Sequence, residues 1–208
     1  SMFGGGASNF MASSYLSEDA DMLAAEEAYC AKEDELREYL DTYEATHDYD
    51  EYHFDLDEIE HDPYVLISIL SALHEGMFTI DQVQGDLQTL FDKQYILTET
   101  VTTETRYDSD GDPSYTWTIC TVTLENFDLS HVPVYMMGED QLSLYATYMS
   151  TLGNRPDLFP SSGYVSKYIE NPPTAWEIPA EYLTDERFNT LITEAEKYLG
   201  YPYVWGGS

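Results

Sequence analysis

Basic residues are scarce in this chain: 8 Lys and Arg stand against 40 Asp and Glu, a formal net charge of -32 over 208 residues. Nucleic-acid binding needs clustered Lys and Arg against phosphate, so that partner is excluded on charge grounds, as is docking on an anionic lipid surface. Long apolar runs are missing too. No stretch reaches 18 apolar residues, and no basic segment leading into an apolar one opens the chain, so neither a bilayer span nor a leader peptide is expected in this segment. Cysteine is nearly absent. Cys30 falls in a helical pattern and Cys120 in a strand pattern, with no Cys-x-x-Cys pair and no Cys/His spacing suited to zinc. Buried free thiols are the expected state, with pairing left open, and no cofactor is expected. No internal repeat is visible at any period.

What is present is enough for a core: 43% of residues are apolar, which reads as globular. Residues 1–16, beginning "SMFGGGASNFMASS", read as a flexible Gly/Ser linker, with Ser1 before Met2 a cloning remnant. From about Ser17 to Thr46 one long acidic helix is expected, because Met22, Tyr29, Leu36 and Tyr43 recur every seven residues and Leu40 joins their stripe. "DYDEYHFDLDEIEHD", Asp48 to Asp62, follows as a carboxylate-rich connector. It carries His53 and His61, but their spacing matches no metal cage, and a solvated acidic loop is expected.

Asp62 and Pro63 form an N-cap and first-turn pair for a helix apolar on most sides, "YVLISILSALHE", ending at Gly76. Thr79 and Gln82 supply a capping box for the next helix, which presents Ile80, Val83, Leu87, Leu90 and Phe91 on one face. The two helices predict a helical hairpin or a helix-turn-helix-like corner. "YILTETVTTETRY" and "SYTWTICTVTLENF" then switch to strand composition around the turn chemistry of "DSDGDP", which predicts a long two-stranded antiparallel hairpin over 95–127. Helix, turn, helix, hairpin is the order of a winged-helix module. The helix in the recognition position has one basic residue, Lys93, against Asp81, Asp86 and Asp92, the wrong chemistry for a DNA groove. Asp108, Asp110 and Asp112 occupy positions one, three and five of an EF-hand-like loop, yet Pro113 and Ile119 stand where Gly and Glu are required, so a plain acidic turn is preferred to calcium.

Glu139 to Leu152 predicts a further helix closed by Gly153, followed by the loop "GNRPDLFPSSG" and a Pro-bearing linker over 171–184. Asp185 to Leu199 reads as a last helix running into "GYPYVWGGS". That terminal stretch, residues 185–208, resembles the start of the NlpC-type family of papain-like peptidoglycan peptidases, in which a Tyr-x-Trp-Gly-Gly segment shortly precedes an Asp-Cys-Ser-Gly motif. "YILTETVTTE" and "CTVTLENFDLSHVPVYMMGEDQLSLYATYMSTLGNRPDLF" resemble the noncatalytic region of cell-wall hydrolases carried by conjugative elements of Gram-positive bacteria.

The resemblance implies that Tyr203 lines a substrate groove in an intact parent and that Trp205, Gly206 and Gly207 shape the turn beside it. The nucleophile and its base have no counterpart. Cys30 sits among Glu26, Glu27 and Glu33, which raise a thiol pKa; Cys120 is mid-strand, and His131 in "LSHVP" reads as a satisfied loop or core residue. No catalytic residue is therefore expected in this chain. The expected fold class is α+β, mostly helical with one long antiparallel hairpin in an accessory domain at 17–170, followed by the truncated start of a papain-like domain. The expected function is a noncatalytic positioning domain of an exported, wall-associated peptidoglycan cysteine endopeptidase. Its partners would be peptidoglycan, reached through the catalytic domain, or proteins of a conjugation apparatus, with an N-terminal membrane anchor in the parent. An acidic protein-interaction module of winged-helix-like shape is the alternative, and a calcium-dependent adhesin domain using Asp108, Asp110 and Asp112 is the weaker one.

Overall fold

A computed structural model describes residues 13–170 of the chain. The expected linker and helix at 171–208, with Tyr203, Trp205, Gly206 and Gly207, lie outside the described residues. The fold is α+β. Helix α1 (Asp19–Asp41) is followed by the short α2 (Tyr43–Thr46), strand β1 (Glu51–Leu56), and helices α3 (Pro63–Leu73) and α4 (Gln84–Gln94). Then come β2 (Tyr95–Tyr107), β3 (Pro113–Asn126), α5 (Pro133–Met136), α6 (Glu139–Thr151) and α7 (Gly163–Glu170).

Helix α3 is the centre of the core, since every residue from Tyr64 to Ala72 is buried. A helix apolar on all sides is stable only when other elements surround it. Here α6 and α1 pack against it. Its start is fixed as the sequence predicts: the Asp62 carboxylate accepts from the Tyr64 backbone N–H at 2.9 Å, and Pro63 occupies the first turn. The close helical hairpin does not form as expected, because α3 packs chiefly on α6 while α4 leans on α1 and β2. Gln82 does reach back to the Thr79 N–H at 3.0 Å, but residues 80–83 form turns and the regular helix starts only at Gln84.

The strands correct the sequence reading in two ways. β2 and β3 pair antiparallel from Tyr95 opposite Asn126 to Tyr107 opposite Pro113, but they are not a two-stranded unit. The connector expected at 48–62 contains β1, which lies parallel to β3 with Glu51 opposite Ile119 and Leu56 opposite Leu124, giving a mixed sheet of order β1-β3-β2. Tyr52, Phe54 and Leu56 carry the alternation of a strand in a segment whose charge suggested solvated loop. β3, the central strand, turns Cys120, Val122 and Leu124 inward at period two.

Two further segments pack where loops were expected. Tyr15, inside the expected flexible linker, is buried, and its hydroxyl lies 2.7 Å from Ser68 Oγ of α3. Its ring rests against Gly153, where the chain leaves α6 with positive φ at Leu152, Gly153 and Asn154; a Cβ at Gly153 would stand 2.3 Å from the ring. The expected loop after α6 buries Phe159 in the core, and α7, which follows that loop and had no counterpart in the sequence reading, adds Val165 to the same core. Among the described residues, no helix is long and apolar enough to cross a membrane.

Candidate functional site

The α1 stripe that buries Met22, Ala25, Tyr29 and Leu40 also buries Glu33. Glu26, Tyr29, Cys30 and Glu33 stand at intervals of three and four residues, so they share one helix face. Against this face the chain presses His61, the residue before the N-cap of α3. Asp62, the next residue, is tied both to the Tyr64 N–H at 2.9 Å and to Ser162 Oγ at 2.6 Å, which anchors the chain on the C-terminal side of His61. Burial of Asp62 raises its carboxyl pKa above the ordinary value, against the hydrogen bonds that lower it.

His61 Nδ1 lies 2.6 Å from Glu33 Oε1 and Nε2 lies 2.8 Å from Glu26 Oε2. The imidazole is almost wholly buried, with 2% of its side chain exposed. Both ring nitrogens face carboxylate oxygens, so both must donate, and the ring is an imidazolium between two anions. Burial alone pushes the imidazole pKa down, but the hydrogen bonds to Glu26 and Glu33 and their negative charge outweigh it and raise the value to about 9. At neutral pH the group is thus a locked cation rather than a proton acceptor.

The second oxygen of Glu33 accepts from the Tyr95 hydroxyl at the start of β2. That hydroxyl also lies 3.1 Å from the Glu60 carbonyl. Tyr29 donates to Gln94 Oε1 at 2.7 Å, and Gln94 Nε2 donates to the Glu60 carbonyl at 3.0 Å and to Asn126 Oδ1 at 3.1 Å. Every partner here is a group that would be costly to bury alone, and the network closes because each is satisfied by another element of the fold. Burial, then the nearby carboxylates, hold the Tyr29 phenol well above its ordinary pKa; burial and the Glu33 hydrogen bond do the same for Tyr95.

His61 forms part of the wall of a cleft of about 490 Å³ shared with Asp57, Glu58, Glu60, Asp62, Asn126, Asp128, Leu129, Val65 and Tyr164. Five carboxylates give this cleft a negative potential suited to cations or to a basic partner group. Thiol chemistry is disfavoured nearby. Burial, followed by the Glu26 charge and hydrogen bond, raises the Cys30 thiol to about 12, so the thiolate that attacks electrophiles is not populated at neutral pH. Cys120 is also a free thiol, wholly buried in β3 with Sγ 3.4 Å from the Tyr43 hydroxyl.

The other residues singled out in the sequence are dispersed. His53 is exposed on β1, 3.5 Å from Glu51. His131 ends the one-turn helix Leu129–His131, which Asp128 opens by accepting from the Ser130 N–H. Asp108 Oδ1 accepts at 3.0 Å from the backbone N–H groups of both Asp110 and Asp112, so one carboxylate of the EF-hand-like triplet is committed to closing its own turn. His61 was expected in a solvated loop, and its burial overturns that reading. Glu33 had a signal: it lies four residues after Tyr29 and seven before Leu40, both on the buried stripe. Compared with known proteins, the chain matches no family model, no curated protein and no solved structure.

Proposed function

We propose that residues 13–170 are a noncatalytic positioning domain of an exported, wall-associated peptidoglycan cysteine endopeptidase of a conjugative element. The link to a peptidase rests on the likeness of "GYPYVWGGS" to the start of an NlpC-type domain. The observation that supports a binding role is the reach of β2 and β3 beyond the rest of the sheet. β1 covers β3 only from Ile119 to Leu124 and Asp50 holds Thr118, so Glu104–Tyr107 and Pro113–Trp117 project as a free two-stranded arm. At about 3.4 Å per residue, the arm extends roughly 14 Å.

The arm carries the chemistry of a recognition surface. Tyr115 and Trp117 share one face, with ring centroids 6.2 Å apart, and the Arg106 guanidinium lies 4.9 Å from the centre of the Trp117 ring. Tyr107 and Tyr115 are both more than half exposed. Tyr, Trp and Arg are the side chains most often responsible for interface energy. The raised Cys30 pKa and the burial of Cys120 favour a role without thiol catalysis for this part of the chain.

An acidic protein-interaction module of winged-helix-like shape is a second reading, favoured by the order α1-α2-β1-α3-α4-β2-β3. The two readings separate at the gene. The first expects an Asp-Cys-Ser-Gly codon run shortly after residue 208 and a His codon further on; a stop codon in that place overturns it. On purified sacculi, the parent carrying Tyr115→Ser and Trp117→Ser is expected to lose roughly tenfold in activity while cleaving a soluble stem peptide at the unchanged rate. Equal rates on sacculi for parent and variant would contradict the positioning role.

A further inference from the structure

The geometry points to a zinc site formed by Glu26, Cys30 and His61, with Glu33 and Tyr95 as its supporting shell. It stands apart from the functional reading above. One ligand atom from each of Glu26, Cys30 and His61 lies within 4.8 Å of the other two. Glu26 and Cys30 are one turn apart on α1, which puts both donors on one helix face, and His61 approaches from the chain preceding α3. A tetrahedral zinc ion with bonds of about 2.0–2.3 Å holds its ligand atoms about 3.3–3.8 Å apart. Glu26 already reaches Cys30 Sγ through Oε1 at 3.4 Å and His61 Nε2 through Oε2 at 2.8 Å, and side-chain rotation has to draw the three ligand atoms from within 4.8 Å to that spacing.

The second, independent observation is the arrangement behind the imidazole. A metal-bound histidine characteristically donates its other ring N–H to a carboxylate, which fixes the ring and strengthens it as a ligand. His61 Nδ1 lies 2.6 Å from Glu33 Oε1, and Glu33, only 2% exposed, is itself held by the Tyr95 hydroxyl. A carboxylate buried this deeply, aimed at the back of a histidine whose front faces a carboxylate and a thiol, is what a zinc ligand set requires. Cys30 and Glu26 are partly exposed, which leaves a path for the ion from solvent.

Binding is balanced by proton release. The Cys30 S–H points at one oxygen of Glu26 and the His61 Nε2–H at the other. A divalent ion entering between them displaces these two protons to solvent, so the local net charge is unchanged. Three protein ligands of sulfur, nitrogen and oxygen suit zinc rather than calcium or magnesium, and the fourth position is left to water.

The test is titration of the reduced, metal-free chain with Co²⁺, followed by displacement with Zn²⁺. One equivalent should produce a near-ultraviolet thiolate-to-cobalt band together with strong visible bands of a four-coordinate ion, and Zn²⁺ should bleach both. Cys30→Ser, on the partly exposed face of α1, should remove the thiolate band while the far-ultraviolet circular dichroism stays unchanged; Cys120→Ala should keep it. Glu33→Gln should weaken Co²⁺ binding by roughly ten- to hundredfold through loss of the supporting carboxylate. Only the weak spectrum of six-coordinate cobalt on surface carboxylates, or a thiolate band that survives Cys30→Ser, would overturn the site.

Discussion

The Glu26–His61–Glu33 knot and the β2–β3 arm treat charge and aromatic rings in opposite ways. In the knot, a cation and two anions are packed between α1, α3 and β2, with Tyr29 and Tyr95 turned inward to satisfy them. In the arm, Tyr107 and Tyr115 are left to solvent, while Arg106, half-buried and paired with Glu104, lies over the Trp117 ring. The difference separates two jobs. Buried charges are costly to disturb because each is the solvent of the other, whereas exposed aromatic and cationic groups contribute little to folding and remain open to a partner.

The strongest way to break this contrast is Glu33→Ala, which leaves His61 with one carboxylate and Tyr95 without its acceptor. Loss of one member of a buried ion pair costs about 3–5 kcal/mol, so the urea midpoint should fall sharply while the m-value is retained. Next comes pH. The folded His61 value of about 9 lies above the ordinary value of 6.5, so its stabilisation is complete below about pH 6.5 and is lost as the pH rises through about 9. In metal-free protein this amounts to roughly 3 kcal/mol, read from urea melts between pH 6 and 10. The groups facing the ring as it titrates are Glu26, Tyr29, Cys30 and Glu33 of α1, Tyr95 of β2 and the neighbouring Asp62.

Asp62→Ala removes the cap of α3 and the tie to Ser162, at about 1 kcal/mol, and should lower the melting temperature by a few degrees. At the other end of the scale, Tyr115→Ser in the arm should change stability by less than about 0.5 kcal/mol in the same melts. A loss there as large as that of Glu33→Ala would mean the arm is structural after all.

Much of the fold was legible where the signal was local. Asp62-Pro63 announces α3, the seven-residue spacing of Met22, Tyr29 and Leu36 announces α1, although the one long helix expected through Thr46 breaks at Thr42 and puts Tyr43 in α2, and Thr- and Val-rich segments flanking "DSDGDP" announce β2 and β3. β1 was hidden because Glu51, His53 and Asp55 dominate the composition of a strand that pairs only with β3 and keeps much of its surface in solvent. Tyr15 was hidden by its Gly- and Ser-rich surroundings; its burial follows from the close approach that Gly153 permits far along the chain.

The site was legible only in pieces. Spacing rules for metal ligands read neighbours in sequence, while Cys30 and His61 meet only because α1 and the start of α3 pack together. Glu33 on a buried stripe was the one warning that a partner of opposite charge had to exist elsewhere. His61, beside a helix cap, was that partner.

His61 is a buried cation held between the carboxylates of Glu26 and Glu33. The most direct measurement is a nitrogen-15 and proton NMR titration of the histidine rings in metal-free protein. His61 should show both ring nitrogens protonated at pH 7.5 and titrate near 9. A His61 ring that is neutral at pH 7.5, or that titrates at or below 6.5, would contradict the account.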